Sequence, residues 1–196
     1  MRWLEHLQRG YIEVGMVRYD LMHMIGSSFD LIIPESGHYP ALMACIAVEF
    51  TSHCVSFGPR LGEKLDFEVL GNDRLIRDHR NIARAFSFDR YRWSLQLPDL
   101  VQGLSEHMCY FTGQGNWLII RGIDDQGHFV DYEIYFRLRR RAPSMLRLVI
   151  ESAYVRDLDR PKPGLPTSRR GRIRFRVMVA KVLRGEPLSD PIHNRY

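Results

Sequence analysis

Between Cys109 and Val155 the chain carries four apolar or alternating runs separated only by the short breaks GQGN, DDQG and RRAPS. Each break holds a glycine or a proline, the residues that punctuate strands. Parallel neighbours need crossovers of about a dozen residues or more, and these gaps are too short. The stretch therefore reads as an antiparallel meander, and it limits the fold to classes that contain such a sheet.

Just before it, FDRYRWSLQLPDLVQGLSEH spaces Tyr91, Leu95, Leu100, Val101 and Leu104 at helical intervals, with Pro98 dividing the segment into one broken helix or two short ones. Upstream, FDLIIP and ALMACIAVEFTSHC flank a turn-like ESGHYP and read as a strand pair. LGEKLDFEVLGNDRL alternates at Leu65, Phe67 and Val69 and reads as a short strand, whereas IRDHRNIARAF has no clear period and reads as an irregular surface loop. At the other end, prolines 161, 163 and 166 mark a linker over about 156–171. In the following RIRFRVMVAKVLRGEP, Phe175, Met178, Val179, Val182 and Leu183 form a helical stripe, while Ile173, Phe175 and Val177 also alternate as a strand would.

The expected fold class is α+β: an antiparallel β-meander sheet, a helical segment packed on one face, and a C-terminal basic helix or strand. At 196 residues and 45% hydrophobic content the chain can bury one full core. Residues 1–25 read as an amphipathic segment or a loosely attached N-terminal extension, and 26–196 as a single domain. The opening MRWLEHLQRGYIEVGMVRYDLMHMI mixes charges into its apolar residues and has neither a signal-peptide core nor a membrane span. Three cysteines without CxxC spacing argue against a disulfide framework and suit a reducing cytoplasm.

The segment VDYEIYFRLRRR carries the strongest functional signal. Strand geometry sends Val130, Tyr132, Ile134, Phe136 and Leu138 to one face and Asp131, Glu133, Tyr135, Arg137 and Arg139 to the other. In the next run Leu146, Leu148, Ile150, Ser152 and Tyr154 alternate with Arg147, Val149, Glu151, Ala153 and Val155. A hairpin through RRAPS would let Arg147 and Glu151 share the polar face with Glu133 and Arg137. Cross-strand ion pairing on a solvated face is the alternative reading.

In TSHC, the same alternation places His53 with the polar set and Cys54 with the core. Adjacent strand residues diverge, so His53 is a poor base for Cys54, and a free cysteine is at home in a core. His53, Cys54, His107 and Cys109 lack zinc-ligand spacing, and no metal or cofactor is expected. GQGNW reads as a hairpin turn and the DDQG stretch as another, and no GxSxG, HExxH or Walker-type segment occurs.

A ribonuclease that works without metal needs a base near neutral pH, an acid for the leaving oxygen and cations on the phosphorane-like transition state. His53, Glu133 or Glu151, Tyr135, and Arg137 with Arg147 supply those chemical types. The net charge of +5 is almost wholly arginine, since lysine occurs only at 64, 162 and 181, and arginine's planar fork suits phosphate. Two basic patches add candidate nucleic-acid contacts: Arg137, Arg139, Arg140 and Arg141, and Arg169, Arg170, Arg172, Arg174 and Arg176.

The order of a helix containing RYRWSLQLPDLVQGL followed by CYF, NWLII, YEIYFRLRR and LRLVIESAYV resembles the superfamily of small ribonucleases and toxins that groups barnase, EndoU, colicin-type and RelE-like nucleases. The resemblance spans about residues 87–155 and is one of layout. It implies that a sheet face bearing His, Glu, Tyr and Arg serves as a ribonuclease site. The expectation is a cytoplasmic RNA-directed protein, a metal-independent ribonuclease or toxin-like relative, with RNA and an inhibitor or partner protein as partners. The alternative is a non-catalytic nucleic-acid-binding or protein-interaction module.

Overall fold

The computed structural model describes residues 1–60, 62–112, 117–120, 127, 130–156 and 171–188. In chain order its elements are helix α1 (Trp3–Arg9), strands β1 (Tyr11–Val14), β2 (Val17–Asp20), β3 (Ser27–Ile33), β4 (Leu42–Phe50) and β5 (Ser56–Phe57), and helix α2 (Phe67–Leu70). Strands β6 (Leu75–Arg77) and β7 (Ala83–Phe86) and helices α3 (Phe88–Ser94) and α4 (Leu97–Gln102) come next. The chain then runs through β8 (Met108–Phe111), β9 (Trp117–Ile120), β10 (Tyr132–Ala142), β11 (Met145–Val155), β12 (Arg172–Arg174) and α5 (Phe175–Arg184).

The fold is α+β, and the meander is present: β8, β9, β10 and β11 pair antiparallel in sequence. It forms the centre of a seven-stranded sheet ordered β12-β8-β9-β10-β11-β4-β3. The β3–β4 hairpin is antiparallel, but β4 lies parallel to β11, the one parallel pair in that sheet among the described residues. The chain between β4 and β11 is long enough for the crossover that a parallel pair requires.

One face of this sheet is the core. Tyr132, Ile134, Phe136 and Leu138 of β10 are buried with Ile46 and Val48 of β4 and Leu146, Leu148 and Ile150 of β11. Helix α5 covers them, its stripe of Phe175, Met178, Val179 and Leu183 turned inward and Phe175 meeting Phe136 edge to face at 5.9 Å. Both readings of the C-terminal segment hold in part: three residues pair as β12 along β8, and Phe175 then starts the helix, which Gly185 ends at φ 73. The helical region is divided as expected, with Pro98 in the first turn of α4, where its missing N–H costs no hydrogen bond.

Three segments differ from expectation. The first 25 residues are packed against the core: Trp3, Ile12, Leu21 and Met24 are buried, and Trp3 Nε1 donates to the Phe50 carbonyl at 3.1 Å. Phe67–Leu70 is a helical turn and not a strand, because Asp66 accepts from the N–H groups of Glu68 and Val69 and so caps a helix N-terminus. The stretch expected as an irregular loop is the β6–β7 hairpin, closed by Asn81 at φ 64 and by Asp78, whose Oδ1 accepts from Arg80 and Ile82 N–H at 2.9 Å each. With β5 this hairpin makes a separate three-stranded sheet ordered β5-β7-β6. The GQGN break, the DDQ of the next one and most of the proline-rich linker lie outside the described residues.

Candidate functional site

The polar face of β10 and β11 opposes the small sheet, and a cavity of about 400 Å³ lies between them. His53, Asp78, His79, Arg80 and Arg84 line it from one side, and Tyr135, Glu151, Ser152 and Tyr154 from the other. His53 is not on a strand. β4 ends at Phe50, and residues 52–54 form a single 3₁₀ turn capped by Thr51, whose hydroxyl accepts from His53 N–H at 3.2 Å and donates to the Glu151 carbonyl at 2.7 Å. The turn still separates the two side chains: His53 faces the cavity, while Cys54 is fully buried, and burial pushes its thiol up to about 12. No Cys54–His53 dyad exists.

His53 Nε2 lies 3.3 Å from Asp78 Oδ2. Burial and the nearby Arg84 charge push the imidazole down to about 4 in spite of this carboxylate, so it is neutral at pH 7. Burial alone would raise the Asp78 carboxyl, but the N–H groups of Ile82 and Arg80 and the His53 ring together hold it below its ordinary value. The result is a neutral imidazole oriented by an ionised carboxylate.

A β-bulge decides which residues of β11 join it. Tyr135 opposes Ser152 and Phe136 opposes Ile150, so Glu151 is the extra residue of the bulge. The bulge reverses the alternation beyond it. Ala153, expected on the polar face, is buried in the core, while Ser152 and Tyr154, expected on the core face, line the cavity. Tyr154 stacks on Tyr135 with ring centroids 5.8 Å apart.

Glu133, expected as a catalytic carboxylate, is 1% exposed and forms a bidentate pair with Arg156, Nη2 to Oε2 at 2.7 Å. Tyr135 donates its hydroxyl to the same Oε2 at 2.8 Å, and burial together with Tyr154 and Glu133 raises the phenol well above its usual range. Both groups are held in structural contacts, and Glu133 does not line the cavity. Arg137 Nε sits 2.9 Å from Glu151 Oε1, misaligned for a hydrogen bond but close enough for an ion pair. Arg147 forms a bidentate pair with Glu49 on the parallel neighbour β4, Nε to Oε1 at 2.6 Å.

The expected arginines divide by location. Arg137, Arg139 and Arg147 line a second cavity of about 400 Å³ that shares Thr51, His79 and Glu151 with the first. Arg140 and Arg141 are exposed near the turn between β10 and β11. Arg172 and Arg174 are exposed on β12, at least three strand spacings or about 14 Å from β10. Arg176 pairs with Glu106. Arg169 and Arg170 lie outside the described residues.

A third and larger cavity of about 760 Å³ adjoins the His53 cavity through Tyr154 and is lined by Arg60, Arg90, Arg92, Arg156, Phe57 and Trp93 among others. The residues that complete the site, Asp78, Arg84, Arg90 and Arg156, carry no motif. The Asp78-to-Asn81 turn chemistry was the one local signal that would have marked the hairpin bearing two of them. Among the described residues no group of three or more His, Cys, Asp or Glu side chains is arranged to hold a metal ion.

Fold and site together define an α+β protein with an arginine-lined groove centred on a histidine–aspartate pair. A family model matches residues 11–183, and the chain belongs to the YjaZ family. The match includes the β1–β2 hairpin that packs on the core. Comparison with curated proteins and with solved structures found no match.

Proposed function

We propose that this protein binds single-stranded RNA along the groove formed by the three adjoining cavities. The observation that carries this reading is their shared lining. Tyr154 belongs to the largest and to the His53 cavity, and Thr51, His79 and Glu151 belong to the His53 cavity and the one beyond it. Nine arginines, 60, 80, 84, 90, 92, 137, 139, 147 and 156, face five carboxylates, Glu49, Glu63, Asp78, Asp89 and Glu151, along that course. Phe57, Trp93, Tyr135 and Tyr154 supply ring surface within it. A positive channel interleaved with aromatic side chains suits an unpaired strand, whose bases stack without sequence preference.

A second reading, metal-independent cleavage of that strand, is favoured by one observation: the neutral, Asp78-oriented His53 opens on the same cavity as Glu151. A neutral imidazole has a lone pair for the proton of a 2′-hydroxyl, although one pushed down to about 4 is a weak base. The sequestration of Glu133 and the pairing of Glu151 leave that base without an available acid, so binding is the primary function proposed.

Fluorescence anisotropy with a labelled single-stranded RNA tests it. Affinity is expected to fall steeply with salt and to weaken in Arg80→Gln and Arg139→Gln, but not in Arg172→Gln. Failure of the wild type to bind a panel of RNA strands at low salt would sink the proposal. Incubation of the same RNAs in EDTA with wild type and His53→Ala decides the second reading.

A further inference from the structure

Arg139 and Arg147 stand directly opposite each other in the antiparallel ladder of β10 and β11, on the face turned away from the core. Like charges in that position repel. Glu49 of β4 answers only one of them: Arg147 Nε donates to Oε1 at 2.6 Å and Nη2 to Oε2, so a single guanidinium engages both carboxylate oxygens. Among the described residues the third nitrogen of Arg147, Nη1, makes no hydrogen bond, and Arg139 makes neither a hydrogen bond nor an ion pair. One whole planar fork and part of a second therefore lie side by side without a protein acceptor among those residues.

Both arginines line the same cavity, the second of about 400 Å³, a volume that suits a small ligand. Part of its wall is apolar. Val149 lies between Arg137 and Glu49 in the next row of the sheet, and Phe50 adjoins it with the Trp3 ring, which its Nε1 bond to the Phe50 carbonyl holds in place. Ala47, the β4 partner of Arg147, adds no bulk beside the guanidinium. Arg137, Arg139 and Arg147 face Glu49 and Glu151 across the cavity, and the Arg141 charge also reaches Glu49. An oxyanion can accept from the Arg139 fork and from Arg147 Nη1 together, with Glu49 left on Nε and Nη2. A bare anion leaves the apolar wall uncovered, whereas a nucleotide covers it with its base.

We propose that Arg139 and Arg147 hold the phosphate of a single nucleotide whose base lies against Val149, Phe50 and Trp3. That this nucleotide belongs to an RNA strand rests on the RNA reading; the preference for a nucleotide rests on the two arginines and the apolar wall. In the free protein the Arg139 charge works against the ladder, and a phosphate turns that repulsion into a shared contact.

The test titrates adenosine monophosphate into the wild-type protein by calorimetry at fixed ionic strength, with adenosine and inorganic phosphate as comparisons. Saturable binding of the nucleotide is expected, at least tenfold tighter than either comparison. It is expected to weaken at least tenfold in Arg139→Gln and to be unchanged in Arg172→Gln. Arg139 is exposed, so Arg139→Gln is expected to melt no lower than wild type. Ala47→Glu, which sets a competing carboxylate beside Arg147 in the same row, is expected to weaken binding likewise and carries the test should Arg139→Gln not fold. No saturable nucleotide binding to the wild type, equal binding by the folded variants, or adenosine binding as tightly as the monophosphate overturns the site. Inorganic phosphate binding as tightly as the nucleotide overturns the place given to the base. Single-stranded RNA then separates the two sources. Strand binding that adenosine monophosphate competes away and Arg139→Gln weakens supports a nucleotide of the strand. Nucleotide binding without any strand binding overturns the RNA reading and leaves a site for free nucleotide; strand binding weakened by Arg80→Gln, without nucleotide binding, does the reverse.

Discussion

His53 Nε2 donates to Asp78 Oδ2 across 3.3 Å, tying the turn after β4 to the turn between β6 and β7. A carboxylate only accepts, so the neutral imidazole carries its proton on Nε2 and keeps Nδ1 as its basic nitrogen. This contact aims one imidazole nitrogen at a fixed partner and leaves the other as the acceptor of the ring.

Acid weakens the fold through this histidine. His53 titrates near 4 in the folded protein and near its ordinary 6.5 when unfolded. Between those values the unfolded chain binds a proton that the folded one refuses, so the stabilisation present above pH 6.5 is lost as the pH falls toward 4. His6 and His23, both lowered chiefly by burial, act with the same sign. Urea unfolding at pH 7 and pH 4.5 is expected to show a smaller loss for His53→Gln than for wild type. Equal losses would assign the effect to other groups.

Two of the carboxylate–arginine pairs of the polar face, Glu133–Arg156 and Glu151–Arg137, differ in what they contribute. Glu133 is 1% exposed and holds both Arg156 and the Tyr135 hydroxyl, so Glu133→Ala is expected to cost about 3–5 kcal/mol, as for removal of one partner from a buried pair. Arg137, with 40% of its side chain exposed, pairs with Glu151 near solvent, and Arg137→Ala is expected to cost no more than about 1 kcal/mol. Denaturant unfolding of both variants checks the contrast; a Glu133→Ala cost below that of Arg137→Ala would contradict it.

Cysteine reactivity follows depth. Cys54 and Cys109 are fully buried and their thiols are raised by that burial, while Cys45 on β4 is half-buried. Native alkylation followed by peptide mass mapping is expected to modify Cys45 first and the other two only after denaturation. Early modification of Cys54 would contradict its place in the core.

The N-terminal segment is structural. Trp3 is buried and bonded to the Phe50 carbonyl, and Trp3→Ala is expected to destabilise the protein by about 3–5 kcal/mol. Thermal unfolding of the variant, and of a chain lacking residues 1–25, is the check; unchanged stability in both would restore the picture of a loose extension.

Much of the sheet was legible because its signal is local. Tyr132, Ile134, Phe136 and Leu138 alternate with polar residues, and no distant part of the chain is needed to tell which set is buried. The helix stripe of Phe175, Met178, Val179 and Leu183 was readable for the same reason. Local alternation misled at Phe67–Leu70, where Val69 is 82% exposed and the Asp66 cap sets the backbone. It was silent on IRDHRNIARAF, whose strands are only three and four residues long and include a buried arginine.

The sequence by itself determined that a meander exists, that Cys54 is core, and that Tyr135 and Arg137 lie on the face of β10 opposite its buried residues. Only the tertiary structure decided which of them act together. Strand alternation has a period of two and no memory of its partner, so the bulge at Glu151, created by register with β10, could exchange Ala153 for Tyr154 on the polar face without any mark in β11 itself. Likewise Arg156 claims Glu133, and a hairpin from another sheet brings Asp78 and Arg84 to His53. Those are contacts between segments far apart in the chain, and their energies are set by burial and neighbouring charge, which no single segment carries.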